Sequence, residues 1–280
     1  MAFSVNTNAG ALFALQSLNK TNKLLDVVQS RINTGLKVSS ARDNAAVFAI
    51  AQGQRAELGG LNAVKSSLDQ ASSSLNVALA AAEAVSDLLI QLKEKAVAAT
   101  DPGASSATQT ALNDEFQNLV AQIDTVVNNA EFNGVNAVKN GGANIVALTG
   151  VPDGTLSIGN FSITITATDI SANTGLALSA AVVITSAGAA SSALATITTA
   201  ESTLNTFLSK LGAGAKRVDI QRAFTDKLSD AIEIGIGNLV DADLARESAN
   251  LQSLQVRQQL GLQALSIANQ APGSILSLFR

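Results

Sequence analysis

From Leu61 to Ala96 the chain keeps one spacing. Apolar residues stand at Leu61, Val64, Leu68, Ala71, Leu75, Ala78, Ala82, Val85, Leu89, Leu92 and Ala96, three and four apart in unbroken alternation. That heptad seam predicts a long helix packing along one stripe in coiled-coil fashion. A helix continuous over 61–99 would be roughly 58 Å long. Asp101-Pro102-Gly103 supplies turn chemistry that stops it. A second seam follows at Leu112, Phe116, Leu119, Ile123, Val126 and Ala130 and ends at the turn signal Phe132-Asn133-Gly134. Two seams joined by a short loop predict an antiparallel helical hairpin. A third seam, at Ala193, Ile197, Ala200, Leu204, Phe207 and Leu211, is expected to join it in a three- or four-helix bundle. The shorter segment from Ser40 to Leu58 is a candidate for the fourth member.

The pattern changes between about 140 and 190, where Gly, Ser, Thr and Asn become frequent and charge nearly vanishes. Leu156-Ser157-Ile158 and Phe161-Ser162-Ile163-Thr164-Ile165 alternate with period two around Gly159-Asn160. That is the signature of a hairpin with a two-residue turn. The fold class read from this is mainly α: long coiled-coil helices forming a rod bundle, with a small β-rich insertion.

The two ends carry weaker seams. At the N-terminus Ala11, Leu15, Leu18, Leu25 and Ile32 are apolar, while Asn22 and Gln29 fill the same stripe with amides and Gly35 closes it. At the C-terminus the stripe is Val240, Leu244, Leu251, Leu254, Leu265 and Ala268, interrupted by Glu247, Gln258 and Gly261. Residues 1–42 hold five basic residues and one acid, and residues 241–280 hold three of each, so the ends can pair without strong repulsion. A two-helix pair leaves half of each helix wet. Packing among many copies would cover those faces, so the ends are expected to order on polymerisation, with Leu15, Leu18, Leu25, Ile32, Val240, Leu244, Leu251, Leu254 and Leu265 as the polymerisation core.

Composition narrows the function. Of 280 residues, 47% are apolar but only 3% aromatic, with nine Phe and neither Trp nor Tyr. Large rings fill irregular globular cores; a thin helical bundle can be filled by Leu and Ala. His and Cys are absent. This removes the commonest general acid–base group, the thiol nucleophile, disulfides and the usual nitrogen and sulfur ligands of zinc. Net charge is −4 and no basic block exists, so no electrostatic nucleic-acid footprint is present. The start, MAFSVNTNAG, lacks the basic region and apolar stretch of a Sec signal peptide. No run of about 18 apolar residues suggests a membrane span. The three prolines, Pro102, Pro152 and Pro272, leave long stretches free for helix.

The ends resemble those of bacterial flagellins. The resemblance is carried by Ile32-Asn33-Thr34-Gly35-Leu36, Ser39-Ser40-Ala41-Arg42-Asp43-Asn44-Ala45-Ala46 and Ala49-Ile50. At the other end it is carried by Asp243-Leu244-Ala245-Arg246-Glu247-Ser248, Gln259, Ala268-Asn269-Gln270-Ala271-Pro272 and Ile275-Leu276-Ser277-Leu278-Phe279. It covers roughly 1–140 and 190–280, and its pattern is similar to that of alphaproteobacterial flagellins. It implies a filament subunit without enzymatic activity or cofactor, extracellular after export in an unfolded state. It implies a flagellar type III export apparatus, a cytoplasmic chaperone on the C-terminal stripe, and a filament cap and hook-junction proteins as partners. It implies N- and C-terminal helical core segments at 1–42 and 238–280. Between them lie rod segments at 43–140 and 190–237 and a small variable insertion at 141–189. Leu61, Val64, Leu68, Leu75, Val85, Leu89 and Leu92 then form the rod seam.

One departure stands out. Flagellins sensed by Toll-like receptor 5 carry Arg where this chain has Gln91 and Leu where it has Lys95, while Glu94 is kept. Weak receptor activation is therefore expected.

Other readings are blander. Asp241, Asp243 and Glu247 suggest a cation site, but a charged helix start near the macrodipole explains them more simply. Gly212-Ala213-Gly214-Ala215-Lys216 lacks the strand before and the Ser or Thr after that a phosphate loop needs, and reads as a flexible joint. The Ser/Thr-rich stretch 162–203 is either polar surface or a carrier of O-linked sugars. Arg31, Arg42, Asp43 and Asn44 belong to helix ends or to subunit contacts. A hook–filament junction protein is the alternative within the same machine. A metalloprotease insertion is ruled out by the absence of His.

Overall fold

The computed structural model describes residues 7–151 and 161–276, with side chains to Gln270. Its elements are α1 (Ala9–Thr34), α2 (Ala45–Ala99), α3 (Ser106–Asn129), β1 (Ile145–Leu148), β2 (Ser162–Ile165), α4 (Ala187–Val240) and α5 (Leu244–Leu276). The chain divides into two compact units. One comprises residues 57–230; the other comprises 1–56 and 231–280. Helices α2 and α4 contribute residues to both.

In the unit of residues 57–230, α2, α3 and α4 share one core. Every residue of the 61–96 seam is buried, and so is every residue of the 193–211 seam. In α3 the buried stripe is Phe116, Val120, Ile123 and Val127, while Leu119 and Val126 of the expected seam are only half-buried. The two stripes share Phe116 and Ile123 and part only between adjacent apolar residues, Leu119 or Val120 and Val126 or Val127, so periodicity alone did not fix which faces inward. By length and composition α2 includes a stretch apolar enough to cross a membrane. Its apolar stripe is instead the seam that α3 and α4 cover. Ion pairs flank the seam: Lys65–Asp226 at 2.9 Å, Arg222–Asp69 at 3.1 Å, Lys93–Glu201 at 2.9 Å and Lys95–Glu115 at 2.6 Å.

Two expected breaks are not breaks. The segment 40–58 is no separate helix, because α2 runs unbroken from Ala45 through Gly53, Gly59 and Gly60. The 212–216 joint does not exist either, because α4 is helical through it. A helical glycine costs about 1 kcal/mol relative to alanine, which a long packed helix absorbs. Two of these glycines have a packing reason. A Cβ on Gly60 would fall 2.5 Å from a Val151 methyl, and one on Gly214 would fall 2.7 Å from Ile165 Cδ1.

The chain turns where the sequence signalled. After α2, the Asp101 carboxylate accepts from Gly103 N–H at 2.8 Å. Ser105 caps α3, its hydroxyl accepting from Thr108 N–H at 3.2 Å. Asn133 (φ 51°) and Gly134 (φ 81°) form a two-residue turn closed by reciprocal backbone bonds between Phe132 and Val135. Buried Asn136 ties this loop to α3, donating to Val127 C=O at 2.8 Å and accepting from Val138 N–H at 3.0 Å.

The strand reading is half replaced. β2 forms within the expected second strand but pairs antiparallel with β1, Ile145 opposite Ile165 and Leu148 opposite Ser162. Leu156-Ser157-Ile158 lies outside the described residues, as does Gly159-Asn160. Residues 166–186 then run without strands but bury Ile170, Leu178 and Ile184. Side chains of α3 serve their backbone: Asp124 accepts from Ala172 N–H at 2.8 Å, Asn113 accepts from Ile184 N–H at 3.0 Å, and Gln117 donates to Val182 C=O at 2.8 Å.

Candidate assembly surface

The second unit joins the two chain ends. Asn8 caps α1, accepting from Ala11 N–H at 3.0 Å. Gly35 (φ 72°) ends it in the left-handed conformation that glycine adopts without a Cβ penalty. Beyond it, Lys37 N–H donates to Val240 C=O at 2.7 Å and Ala242 N–H to Gly35 C=O at 2.9 Å. These bonds stitch the exit of α1 to the junction of α4 and α5. Val38, Ala51, Ile236 and Val240 form a small core beside them.

The Ser39–Asn44 motif has a local role. The Asp43 carboxylate accepts from the N–H and hydroxyl of both Ser39 and Ser40, at 3.0 to 3.2 Å. The Ser40 backbone bond, and then the Ser39 hydroxyl, hold the Asp43 carboxyl below its ordinary range. Asn44 then caps α2, accepting from Val47 N–H at 3.2 Å. Two acids near the start of α5 are also engaged, one locally and one by α1. Asp243 accepts from Arg246 N–H at 3.1 Å as a helix cap, and Glu247 pairs with Arg31 at 3.1 Å.

Helices α1 and α5 pack against each other. Leu25, Val28 and Leu254 are buried at their contact, with Ile32 and Leu251 half-buried around them. Leu18 is buried under Gly261, where a Cβ would lie 3.9 Å from Leu18 Cβ. Asn22 Oδ1 accepts from Gln258 Nε2 at 2.8 Å, and Asn8 Nδ2 donates to Ala268 C=O at 2.6 Å. Of the residues singled out in the sequence, Leu18, Leu25, Val240 and Leu254 are buried, Ile32, Leu251 and Leu265 are half-buried, and Leu15 and Leu244 are exposed. Val240 belongs to the α4–α5 junction, not to the helix pair.

The pair leaves much apolar surface open. Phe13 is 73% exposed and Ile267 69%, and Leu12, Val256, Leu260 and Leu262 are each more than half exposed. Sequence reasoning followed one stripe per helix and missed these. Their signal was present: α1 and α5 carry large apolar residues on more faces than a single pairing can cover. Elsewhere Gln91 is exposed on α2. Lys95 is held by Glu115, whose hydrogen bond first and charge second raise the ammonium above its ordinary value. Among the described residues no acidic group forms a metal-binding cluster.

Two family models match the chain: the bacterial flagellin N-terminal helical region over residues 5–140, and the bacterial flagellin C-terminal helical region over residues 194–279. Flagellin FljM of Caulobacter vibrioides is 48% identical over 277 residues, covering 99% of this chain and 98% of that one. A flagellin of Brucella melitensis is 38% identical over 284 residues, covering 99% of each. A crystal structure of Bacillus cereus flagellin aligns with 56% of this chain and 86% of its own at 19% identity, with a TM-score of 0.48.

Proposed function

The chain belongs to the bacterial flagellin family and is a self-polymerising structural subunit of the extracellular flagellar filament, not an enzyme; from that premise we propose that the faces α1 and α5 leave open are the surfaces by which subunits polymerise. The single observation behind this is the exposed Leu12, Phe13, Val256, Leu260, Leu262 and Ile267 around the contact of α1 and α5. Apolar surface of that extent on two long helices is stabilised by covering it. Neighbouring copies supply the same helices, so the terminal pair becomes the axial core, with Leu15 and Leu244, exposed in the single chain, buried between subunits.

In this reading residues 1–42 and 238–280 are core segments, 43–140 and 190–237 make the rod, and 141–189 is a small outward-facing insertion. Leu61, Val64, Leu68, Leu75, Val85, Leu89 and Leu92 hold the rod together and need no contact with a neighbour. Export proceeds unfolded through the flagellar type III apparatus, with a chaperone covering the α5 stripe beforehand. Subunits add at the distal tip beneath a cap and above hook-junction proteins. The stretch 162–203 is where O-linked sugars would be carried.

The experiment is a paired substitution, Phe13→Ser with Ile267→Ser, viewed by electron microscopy. Loss of long filaments, with the helical content and melting of the 57–230 unit unchanged, supports the reading. Filaments of ordinary length and number overturn it.

A further inference from the structure

The polar residues that interrupt the two terminal seams meet each other. Asn22 interrupts α1 and pairs with Gln258, which interrupts α5. Gly261, the smallest break in α5, lies against Leu18, which fills the space. Glu247, buried at the head of α5, pairs with Arg31 near the end of α1. Asn8 reaches Ala268 at the far end. All four contacts belong to one antiparallel register.

We propose that these pairs are the specificity-determining residues of the terminal coil: they select this one register of α1 on α5 and reject slips by a heptad. Apolar contacts alone select poorly. A slide of seven residues, about 10.5 Å, returns leucines to leucines on any heptad seam. Slid one heptad so that Ala268 faces Ser17 instead of Gly10, α5 would set Leu265 against Asn22, Gly261 against Leu25, and leave Glu247 without Arg31. Slid the other way, Glu247 would face Leu24 and Gln258 would face Leu15. Each slip strands polar groups in an apolar contact, and a buried donor or acceptor left unmet is costly. Single polar positions fix register in coiled coils at some expense of stability. Here the seam is short of buried leucines, so the polar pairs hold the deciding share. The inference concerns pairing within one chain and goes beyond how subunits pack.

The chain contains no cysteine, so engineered disulfides can report register without background. A Cβ on Gly10 would lie 3.9 Å from Ala268 Cβ, within disulfide range. Filaments are prepared from full-length Gly10→Cys/Ala268→Cys and from Ser17→Cys/Ala268→Cys, oxidised mildly, and scored for the intrachain crosslink in the monomer-sized product. With the native polar pairs the first pair closes and the second gives about a tenth of its yield or less. In the background Asn22→Leu/Glu247→Gln/Gln258→Leu, the second pair rises several-fold as the slipped register fills. The amide exchange Asn22→Gln/Gln258→Asn keeps a single register. If the triple variant forms no filaments alone, it is diluted among cysteine-free parental subunits and scored there. A triple variant that still closes only Gly10→Cys/Ala268→Cys overturns the proposal. Failure to enter filaments even when diluted also overturns it, because the pairs would then be needed for folding itself and not for register. Neither result bears on whether Phe13 and Ile267 drive polymerisation.

Discussion

Gly214 of α4 passes so close beneath Ile165 of β2 that a Cβ at residue 214 would sit 2.7 Å from Ile165 Cδ1 and 3.0 Å from Cγ1. Gly212, two residues earlier on the same helix, has nothing within 4 Å of such a position. The helix and the strand therefore meet at a glycine chosen for proximity. Gly212→Ala is expected to raise the stability of the 57–230 unit by about 0.5–1 kcal/mol, the ordinary helix gain. Gly214→Ala forgoes that gain because Ile165 must move, and a larger residue such as Leu destabilises by about 1–3 kcal/mol. Urea unfolding of the soluble chain followed by circular dichroism separates the three.

Adjacent residues on α2 should behave in opposite ways. Leu89 is fully buried and Ile90 is 60% exposed. Leu89→Ala is expected to cost about 2–5 kcal/mol through lost burial and the cavity left behind. Ile90→Ala should fall within about 0.5 kcal/mol in the soluble chain. Thermal unfolding of the two variants decides it, and equal losses would mean the seam faces elsewhere.

Asp43 gives a pH signature. Its carboxyl is held below the usual range by the Ser40 and Ser39 donors. A folded value lower than the unfolded one means that the carboxylate's contribution is fully present above the unfolded value. It is lost as pH falls through the folded value, so the dependence lies on the acid side of about 4. Asp43→Asn should flatten that part of the stability profile of filaments. NMR titration of the Asp43 carboxyl at or above the ordinary aspartate value would contradict the turn geometry.

The long seams were legible because an alternation of three and four over many turns has no other structural meaning. The α3 stripe was half legible: Leu119 and Val120, like Val126 and Val127, are adjacent and both apolar, and only the position of α2 and α4 chooses between them. The glycines of α4 misled because local propensity counts for about 1 kcal/mol each, while the role of Gly214 depends on Ile165, far away in sequence. Strand β1 is a four-residue apolar run, too short to show a period. The buried course of residues 166–186 depends on Asp124, Asn113 and Gln117 reaching out from α3, which no local pattern announces. At the chain ends, the stripes were visible but their partners were not. Glu247 looked like an acid at a helix start until Arg31 was found beside it.

The α2 surface around Gln91 and Lys95 carries a prediction outside assembly. Lys95 is engaged by Glu115 at 2.6 Å, and Gln91 presents an exposed amide where the resemblance implies a guanidinium in receptor-sensed flagellins. Purified monomer is expected to give a weak Toll-like receptor 5 reporter response. Gln91→Arg with Lys95→Leu should strengthen it, and a potent response from the parental chain would refute the assignment.

Terminal helices that remain half wet when paired should gain their order from neighbouring subunits. Amide hydrogen exchange, read on the same full-length protein as soluble chain and as filament, tests this directly. Residues 10–30 and 245–265 are expected to exchange fast in the soluble chain and to become strongly protected in the filament, while the 61–96 seam is protected in both. Strong protection of the two terminal segments before polymerisation would contradict the account.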